Sequence, residues 1–171
     1  MKKEVAFLFD KTNDWLVNCF RNFNLSSNHF NYNIFYDLDN IIRYDIVFVL
    51  GYTKILPVSF LNKNALILVV HESDLPKGRG FSPIQWQILE GKNKIKISLI
   101  EALEKVDSGD IILQNTINFD GSELYDEIRS KQAQATLSLI REFINIYPNF
   151  KRVKQEGEST YYRQRTSKDD E

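Results

Sequence analysis

Ala65-Leu66-Ile67-Leu68-Val69-Val70-His71, followed by Glu72-Ser73-Asp74-Leu75-Pro76-Lys77-Gly78-Arg79-Gly80, is the stretch that decides the fold of this chain. Ala65 to Val70 is an unbroken apolar run. It ends on a titratable side chain and passes into a loop punctuated by Pro76, Gly78 and Gly80. A strand with one face in water alternates apolar and polar residues, whereas a strand buried on both faces reads as a continuous run. This run therefore belongs inside a sheet covered on both sides. Val5 to Phe9, and Tyr44 to Leu50 closed by Gly51, read the same way.

Helical segments separate these strands. Trp15, Cys19 and Phe23 recur every four residues with Leu16 and Phe20 beside them, an amphipathic helix that Thr12 or Asn13 can cap. Asn24 to Asn31 reads as a polar loop, Asn33 to Leu38 as a second strand, and Pro57 to Leu61 as a short helix or turn. Pro83 suits the first position of a helix running from Ser82 to Leu89, which Gly91 ends. Ile95 to Ile100 and Asp110 to Phe119 read as two more strands, joined through an Asp-Ser-Gly-Asp turn. Ser122 is placed to cap a long helix reaching about Tyr147, with Leu124, Ile128, Leu139, Ile140, Phe143 and Ile144 as its apolar stripe. The reading is one domain over residues 1–150. Residues 151–171 follow as a charged C-terminal tail without a hydrophobic face, either extended or docked. Strands alternating with helices give an α/β fold with a mostly parallel sheet.

Composition narrows the function. The 171 residues are 43% hydrophobic and 26% charged, which excludes wholesale disorder. With 22 basic against 23 acidic residues, the net charge of -1 argues against a general nucleic-acid binder. One cysteine excludes an internal disulfide and a multi-cysteine zinc site, and two histidines leave little room for a His-rich metal centre. No metal is expected. No apolar run approaches a membrane span, and Met1-Lys2-Lys3-Glu4 leads straight into a strand without a signal peptide, so a cytoplasmic protein is the expectation.

Ligands of open α/β sheets bind beyond the carboxyl ends of the strands. That places His71 and the loop after it at the expected site, although a histidine there can also simply cap the strand. Asp107 can serve a site or just shape a turn, and Glu72, Asp74 and Asp110 are competing carboxylates in the same loops. Lys77, Arg79, Arg163 and Arg165 are candidates for phosphate, with solvated surface as the alternative. Cys19 reads as core and His29 as surface. Neither a Walker loop nor a Gly-x-Gly-x-x-Gly motif is present.

Leu56-Pro57, the block His71-Glu72-Ser73-Asp74-Leu75-Pro76-Lys77-Gly78-Arg79-Gly80-Phe81-Ser82-Pro83-Ile84-Gln85, then Gly91, then Asp107-Ser108-Gly109-Asp110-Ile111-Ile112, together resemble the formyltransferase catalytic domain. The family pattern pairs His-x-Ser-x-Leu-Pro with a later Asp-x-Gly turn, and the separation of His71 from Asp107 fits its spacing. Gly157 to Thr166 resembles the Thr-Tyr-x-x-x-Arg-Thr segment of the tRNA and sugar enzymes. The resemblance implies a three-layer Rossmann-like formyltransferase fold, with His71 and Asp107 at the carboxyl ends of neighbouring strands and close enough to interact. It implies transfer of a formyl group from 10-formyltetrahydrofolate to a primary amine. His71 would stabilise the tetrahedral intermediate and relay protons, and Asp107 would orient it. Thr53, Lys54, Ile55 and Leu56 on one side, and Leu103, Glu104 and Val106 on the other, would hold the folate.

Two departures are informative. Val69 stands where the family carries an Asn, whose amide helps hold the formyl oxygen; Gln85, a backbone N–H between Arg79 and Ser82, or protonated His71 are the substitutes. Asp10-Lys11-Thr12 follows the first strand in place of the Gly/Ser-rich phosphate turn of the glycinamide ribonucleotide enzymes. With the sequence running to Glu171, the basic barrel of the tRNA enzymes is not expected here. The remaining branch acts on nucleotide-linked amino sugars, with no nucleic-acid or membrane partner and room for a homodimer. Another small amine as acceptor, or a catalytically weak folate- or partner-binding protein, are the alternatives.

Overall fold

A computed structural model describes residues 2–23 and 29–169. In chain order the elements are β1 (Lys3–Phe9), α1 (Asp14–Arg21), β2 (Phe30–Phe35), a 3-10 turn (Leu38–Asn40), β3 (Ile46–Leu50), α2 (Val58–Leu61) and β4 (Ile67–His71). They continue with β5 (Arg79–Gly80), α3 (Pro83–Leu89), β6 (Lys94–Glu101), β7 (Ile111–Asn118), α4 (Tyr125–Ile146), β8 (Tyr161–Tyr162) and a closing 3-10 turn (Ser167–Asp169).

Six strands form one sheet in the order β2-β1-β3-β4-β6-β7. The β1 pairings with β2 and β3, and the β3 pairing with β4, are parallel, while β6 runs antiparallel to both β4 and β7. The sheet is thus mostly parallel with one reversed strand, and helices flank it. The apolar runs lie where continuous runs must: the side chains of Ile46–Leu50 are all buried, as are those from Val5 to Phe9.

Strand alternation splits the core in two. Phe7, Phe48, Leu68 and Val70 face α1 and α4, meeting Leu16, Phe20, Leu139, Ile140 and Phe143. Ala6, Leu8, Val47, Val49 and Ile67 face the other way, under Ile41 and Phe60. Aromatic packing knits the larger cluster: Phe48 stacks on Phe7 at 5.2 Å between ring centroids and meets the edge of Phe143 at 5.7 Å.

Several boundaries differ from the sequence expectations, and the hydrogen-bond partners of the residues concerned explain them. Phe23 lies beyond α1, yet is buried against Phe20 through a turn in which its N–H donates to the Phe20 carbonyl. Asn13 does precede α1 but makes no side-chain cap bond; its amide donates to the Gly51 carbonyl instead. Ser122 is not the cap of α4. Its N–H and hydroxyl both go to the Asp120 carboxylate, and the helix opens after Leu124, whose N–H donates to Glu127. Leu124 is exposed, so it is absent from the buried stripe, and Gln132, Ala133 and Thr136 join Leu139, Ile140 and Phe143 as the buried residues of the helix. Strand β2 starts at Phe30 and ends at Phe35, earlier than expected at both ends, and residues 24–28 of the expected polar loop lie outside the described residues.

Of the two readings of the charged segment, residues 151–169 dock. Val153 bridges Ile111, β8 pairs in parallel with β5, and Tyr162 stacks on Trp86. Trp86 also donates to the Arg163 carbonyl, and the Arg163 guanidinium lies 4.8 Å from the Trp86 ring centroid.

Phe48→Ala should lower stability by about 3–5 kcal/mol, the usual cost of deleting a fully buried phenyl ring. Chemical denaturation should show the midpoint falling at constant slope. A loss below about 1 kcal/mol would mean that the ring does not pack as described.

Candidate active site

His71 is the last residue of β4, and strand alternation puts Ile67, Val69 and His71 on one face. Its imidazole is buried, and both ring nitrogens have neighbours. Nε2 lies 2.7 Å from the Gly78 carbonyl oxygen, which can only accept, so Nε2 carries a proton. Nδ1 faces the Asp107 carboxylate at 3.6 Å, too long for a direct hydrogen bond. A proton taken up at Nδ1 therefore meets a carboxylate.

The loop after β4 is fixed from several directions. Gln87, buried in α3, donates to the Glu72 carbonyl, and buried Ser98 on β6 donates to the Ser73 carbonyl. The Gly80 N–H donates to Asp107 Oδ2 at 2.9 Å. Gly80 has φ 97°, and a Cβ there would lie 2.4 Å from the Tyr162 carbonyl oxygen, so the close pairing of β5 with β8 requires glycine.

The expected placement of Asp107 needs correction. Because β6 is antiparallel, its end at Glu101 lies beside Leu68, at the start of β4 rather than beside His71. Asp107 is not at the carboxyl end of a neighbouring strand. It sits in the 102–110 connection between β6 and β7, which returns it to His71.

A cleft of about 310 Å³ opens beside this pair. One wall is the segment Thr53, Lys54, Ile55 and Leu56 after β3; another carries Leu103, Glu104, Val106 and Asp107; Val69, His71 and Gln85 complete the set of expected residues. The walls present apolar side chains to solvent, with Ile55 67% and Leu103 53% exposed. Asp10, at the end of β1, anchors the first wall. It accepts from the N–H and hydroxyl of Thr53 and from those of Thr12. Burial disfavours its charge most strongly, but these four donors together outweigh burial and hold its carboxyl at about 2.

Gln85 reaches the cleft with its amide engaged: in the orientation that satisfies both partners it donates to the Ser82 carbonyl and accepts from Arg129. The backbone N–H groups of Arg79, Gly80 and Phe81 are also taken, by Thr160, Asp107 and Tyr162. Among the phosphate candidates, Arg79 is buried against Gln155 and Tyr161, and Arg163 pairs with Asp169; Lys77 is exposed outside this cleft.

Sequence reasoning did not select Asn13, Trp15, Arg129, Gln132 or Gln164, all of which line the cleft. Arg129 packs over the Trp15 and Tyr125 rings at 4.8 and 5.1 Å, and donates to Gln132, whose own amide donates to Glu72. The available signal was polar: Arg129 and Gln132 are three apart and interrupt the stripe where the helix meets the cleft. Among the described residues, no group of three or more His, Cys, Asp and Glu could hold a metal ion, and no helix is long and apolar enough to cross a membrane.

Comparison with known proteins gives the family and the fold. The family model described as formyl transferase matches residues 3–144. A methionyl-tRNA formyltransferase of Rickettsia typhi is 30% identical over 133 residues, covering 77% of this chain and 44% of its own length. The chain thus spans less than half the length of that curated relative. The structure of a methionyl-tRNA formyltransferase from Clostridium thermocellum superposes with a TM-score of 0.81 at 25% identity, covering 98% of this chain and 74% of that one. A sugar N-formyltransferase from Shewanella sp FDAARGOS_354 shares the fold with a TM-score of 0.70 at 16% identity, covering 94% of this chain and 76% of that one.

The depressed Asp10 value has a sign that can be tested. Its contribution to stability is complete above its ordinary value of 3.8 and is lost as pH falls from there toward about 2. Urea unfolding across that window should show a steeper acid loss for wild type than for Asp10→Asn, and equal slopes would mean that the four donors do not hold the carboxylate.

Proposed function

This chain belongs to the formyl transferase family, and from that premise we propose that it moves a formyl group from 10-formyltetrahydrofolate to the primary amine of a nucleotide-linked amino sugar. The observation that carries the reading is the buried His71–Asp107 contact opening into a cleft whose walls hold every residue the resemblance assigned to the folate. The exposed apolar side chains of Ile55, Leu103 and Val106 fit a flat heteroaromatic ring. The sugar acceptor draws support from a net charge of -1, which does not favour a tRNA; the fold itself is shared by tRNA and sugar enzymes alike.

The formyl donor supplies an activated carbonyl carbon. The residues of the chain must then hold negative charge on its oxygen and move the amine proton. The family's amide is absent at Val69. Of the substitutes, the backbone N–H groups of residues 79–81 already have acceptors and Gln85 has one amide hydrogen left over. His71, protonated at Nδ1, is then a donor to the oxyanion alongside the remaining Gln85 hydrogen. Asp107 faces the same nitrogen, so it holds the imidazolium. As the amine bonds to the formyl carbon, its proton passes to Asp107, directly or through water. The bond from that carbon to the folate nitrogen breaks while the folate nitrogen takes a proton from the imidazolium, which Asp107 then restores. A largely buried pair strengthens both interactions relative to water.

Incubation with 10-formyltetrahydrofolate and a panel of nucleotide-linked amino sugars, followed by mass spectrometry of the acceptor, tests the assignment. His71→Ala and Asp107→Ala should each reduce transfer by about a thousandfold or more, and the double variant should be little worse than either. Near wild-type turnover in either single variant would remove these roles. Val69 lines the cleft half-buried, on the same strand face as His71. Val69→Asn should therefore fold normally and preserve or raise turnover, while a well-folded but inactive variant would show that the site is built around valine. If wild type binds 5-formyltetrahydrofolate in a calorimeter but formylates no amine in the panel, the valine marks a folate-binding protein instead.

A further inference from the structure

The family match ends at residue 144, yet the turn that carries Asp107 is held by a residue beyond it. Gln155 lies on the docked C-terminal segment, partly buried. Its amide nitrogen donates to the carbonyls of Asp107 and Gly109, each at 2.8 Å. Its amide oxygen accepts from Arg79 Nη2 at 2.6 Å and Nε at 3.2 Å. One side chain thereby joins the turn bearing Asp107 to the loop whose Gly78 carbonyl accepts from His71 and whose Gly80 N–H binds Asp107.

The turn has reason to need such a tie. Asp107 has φ 53°, the left-handed region, where a residue with a side chain persists only if its surroundings impose it. Gly109 approaches β6 so closely that a Cβ would fall 1.7 Å from the Glu101 carbonyl oxygen. Without a donor, the Asp107 and Gly109 carbonyls would lose a shared amide partner in a region largely withdrawn from water. The Arg79 guanidinium, in a buried residue, would lose the acceptor of its Nε and Nη2 and keep only the Tyr161 hydroxyl at Nη1.

We propose that Gln155 is a positioning residue for the His71–Asp107 pair: its amide couples the two loops so that the carboxylate stays facing Nδ1. The docked segment is then part of the working site rather than an appendage. The proposal rests on the reading of His71 and Asp107 as the reacting pair, but its test does not require the acceptor to be known.

The chain has two histidines, so the side-chain ¹H–¹⁵N signals of His71 are identified by their loss in His71→Ala. In Gln155→Ala, the His71 signals should move toward those of Asp107→Ala. Gln155→Glu retains an acceptor for Arg79 but sets a carboxylate against two carbonyls, and should give the same direction of change. Arg152→Ala removes an exposed contact of the same segment with Glu101 and should leave the His71 signals at their wild-type positions. Wherever wild type shows transfer, Gln155→Ala should lower kcat about tenfold or more with the donor KM within about twofold. Wild-type His71 signals in both Gln155 variants, or equal movement in Arg152→Ala, would overturn the proposal. Should Gln155→Ala not fold, Gln155→Glu alone decides between these outcomes. Failure of wild type to transfer formyl would count against the proposed reaction and leave the spectroscopic result standing.

Discussion

Asp107 takes a left-handed backbone conformation that costs of order 1–3 kcal/mol for a residue with a side chain, and its carboxylate accepts the Gly80 N–H. The site depends on that arrangement. A carboxylate and an imidazole facing each other with side chains less than 10% exposed are costly to desolvate unless backbone donors and acceptors satisfy them. Gly80 supplies the donor to Asp107 and Gly78 the acceptor for His71, two residues apart in one loop. That loop in turn has its conformation set by β8, which can pair with it only because Gly80 lacks a side chain.

The reversed strand β6 explains why so much local structure is needed. In a purely parallel sheet, adjacent strands deliver their following loops to the same edge. With β6 antiparallel, the connection after Glu101 begins at the wrong edge for His71 and must travel back. The tight approach of Gly109 to β6, the positive φ of Asp107 and the docking of residues 151–169 are the means by which it does so. The segment 102–107 also lines the cleft on its way. The excursion that delivers the carboxylate therefore builds one wall of the binding site, and Asp10 holds the opposite wall through Thr53.

Two regions of the cleft differ in character. The walls from the segments after β3 and β6 expose aliphatic side chains, which suits a planar ring. The region toward α1 and α4 is polar: Arg129 lies over two aromatic rings and is hydrogen-bonded to Gln85 and Gln132, and Gln132 reaches Glu72. Loops and helix ends around a rigid sheet are where substrate differences within a fold are ordinarily written.

The sequence by itself determined the layered α/β fold, because continuous apolar runs such as Val5 to Phe9 and Ile46 to Leu50 are stable only inside a sheet covered on both faces. It also placed His71 at the end of a strand, and the resemblance of the His71 block and the Asp107 turn to the formyltransferase pattern marked the two residues that meet beside the cleft. Helix ends were less legible: Asn13 is engaged by a partner distant in the chain, and a local cap preference cannot foresee a Gly51 carbonyl, while at α4 the neighbouring carboxylates of Asp120 and Glu127 take Ser122 and Leu124 and move the start of the helix. The direction of β6 was not legible at all, since strands of either direction show the same side-chain period. Only the tertiary structure decided that Asp107 returns to His71 from the opposite edge, that Arg129 and Gln132 face the cleft, and that Gln155 reaches both loops. Each of these turns on hydrogen bonds between segments far apart in sequence, whose geometry is fixed by packing and leaves no periodic trace in the order of residues.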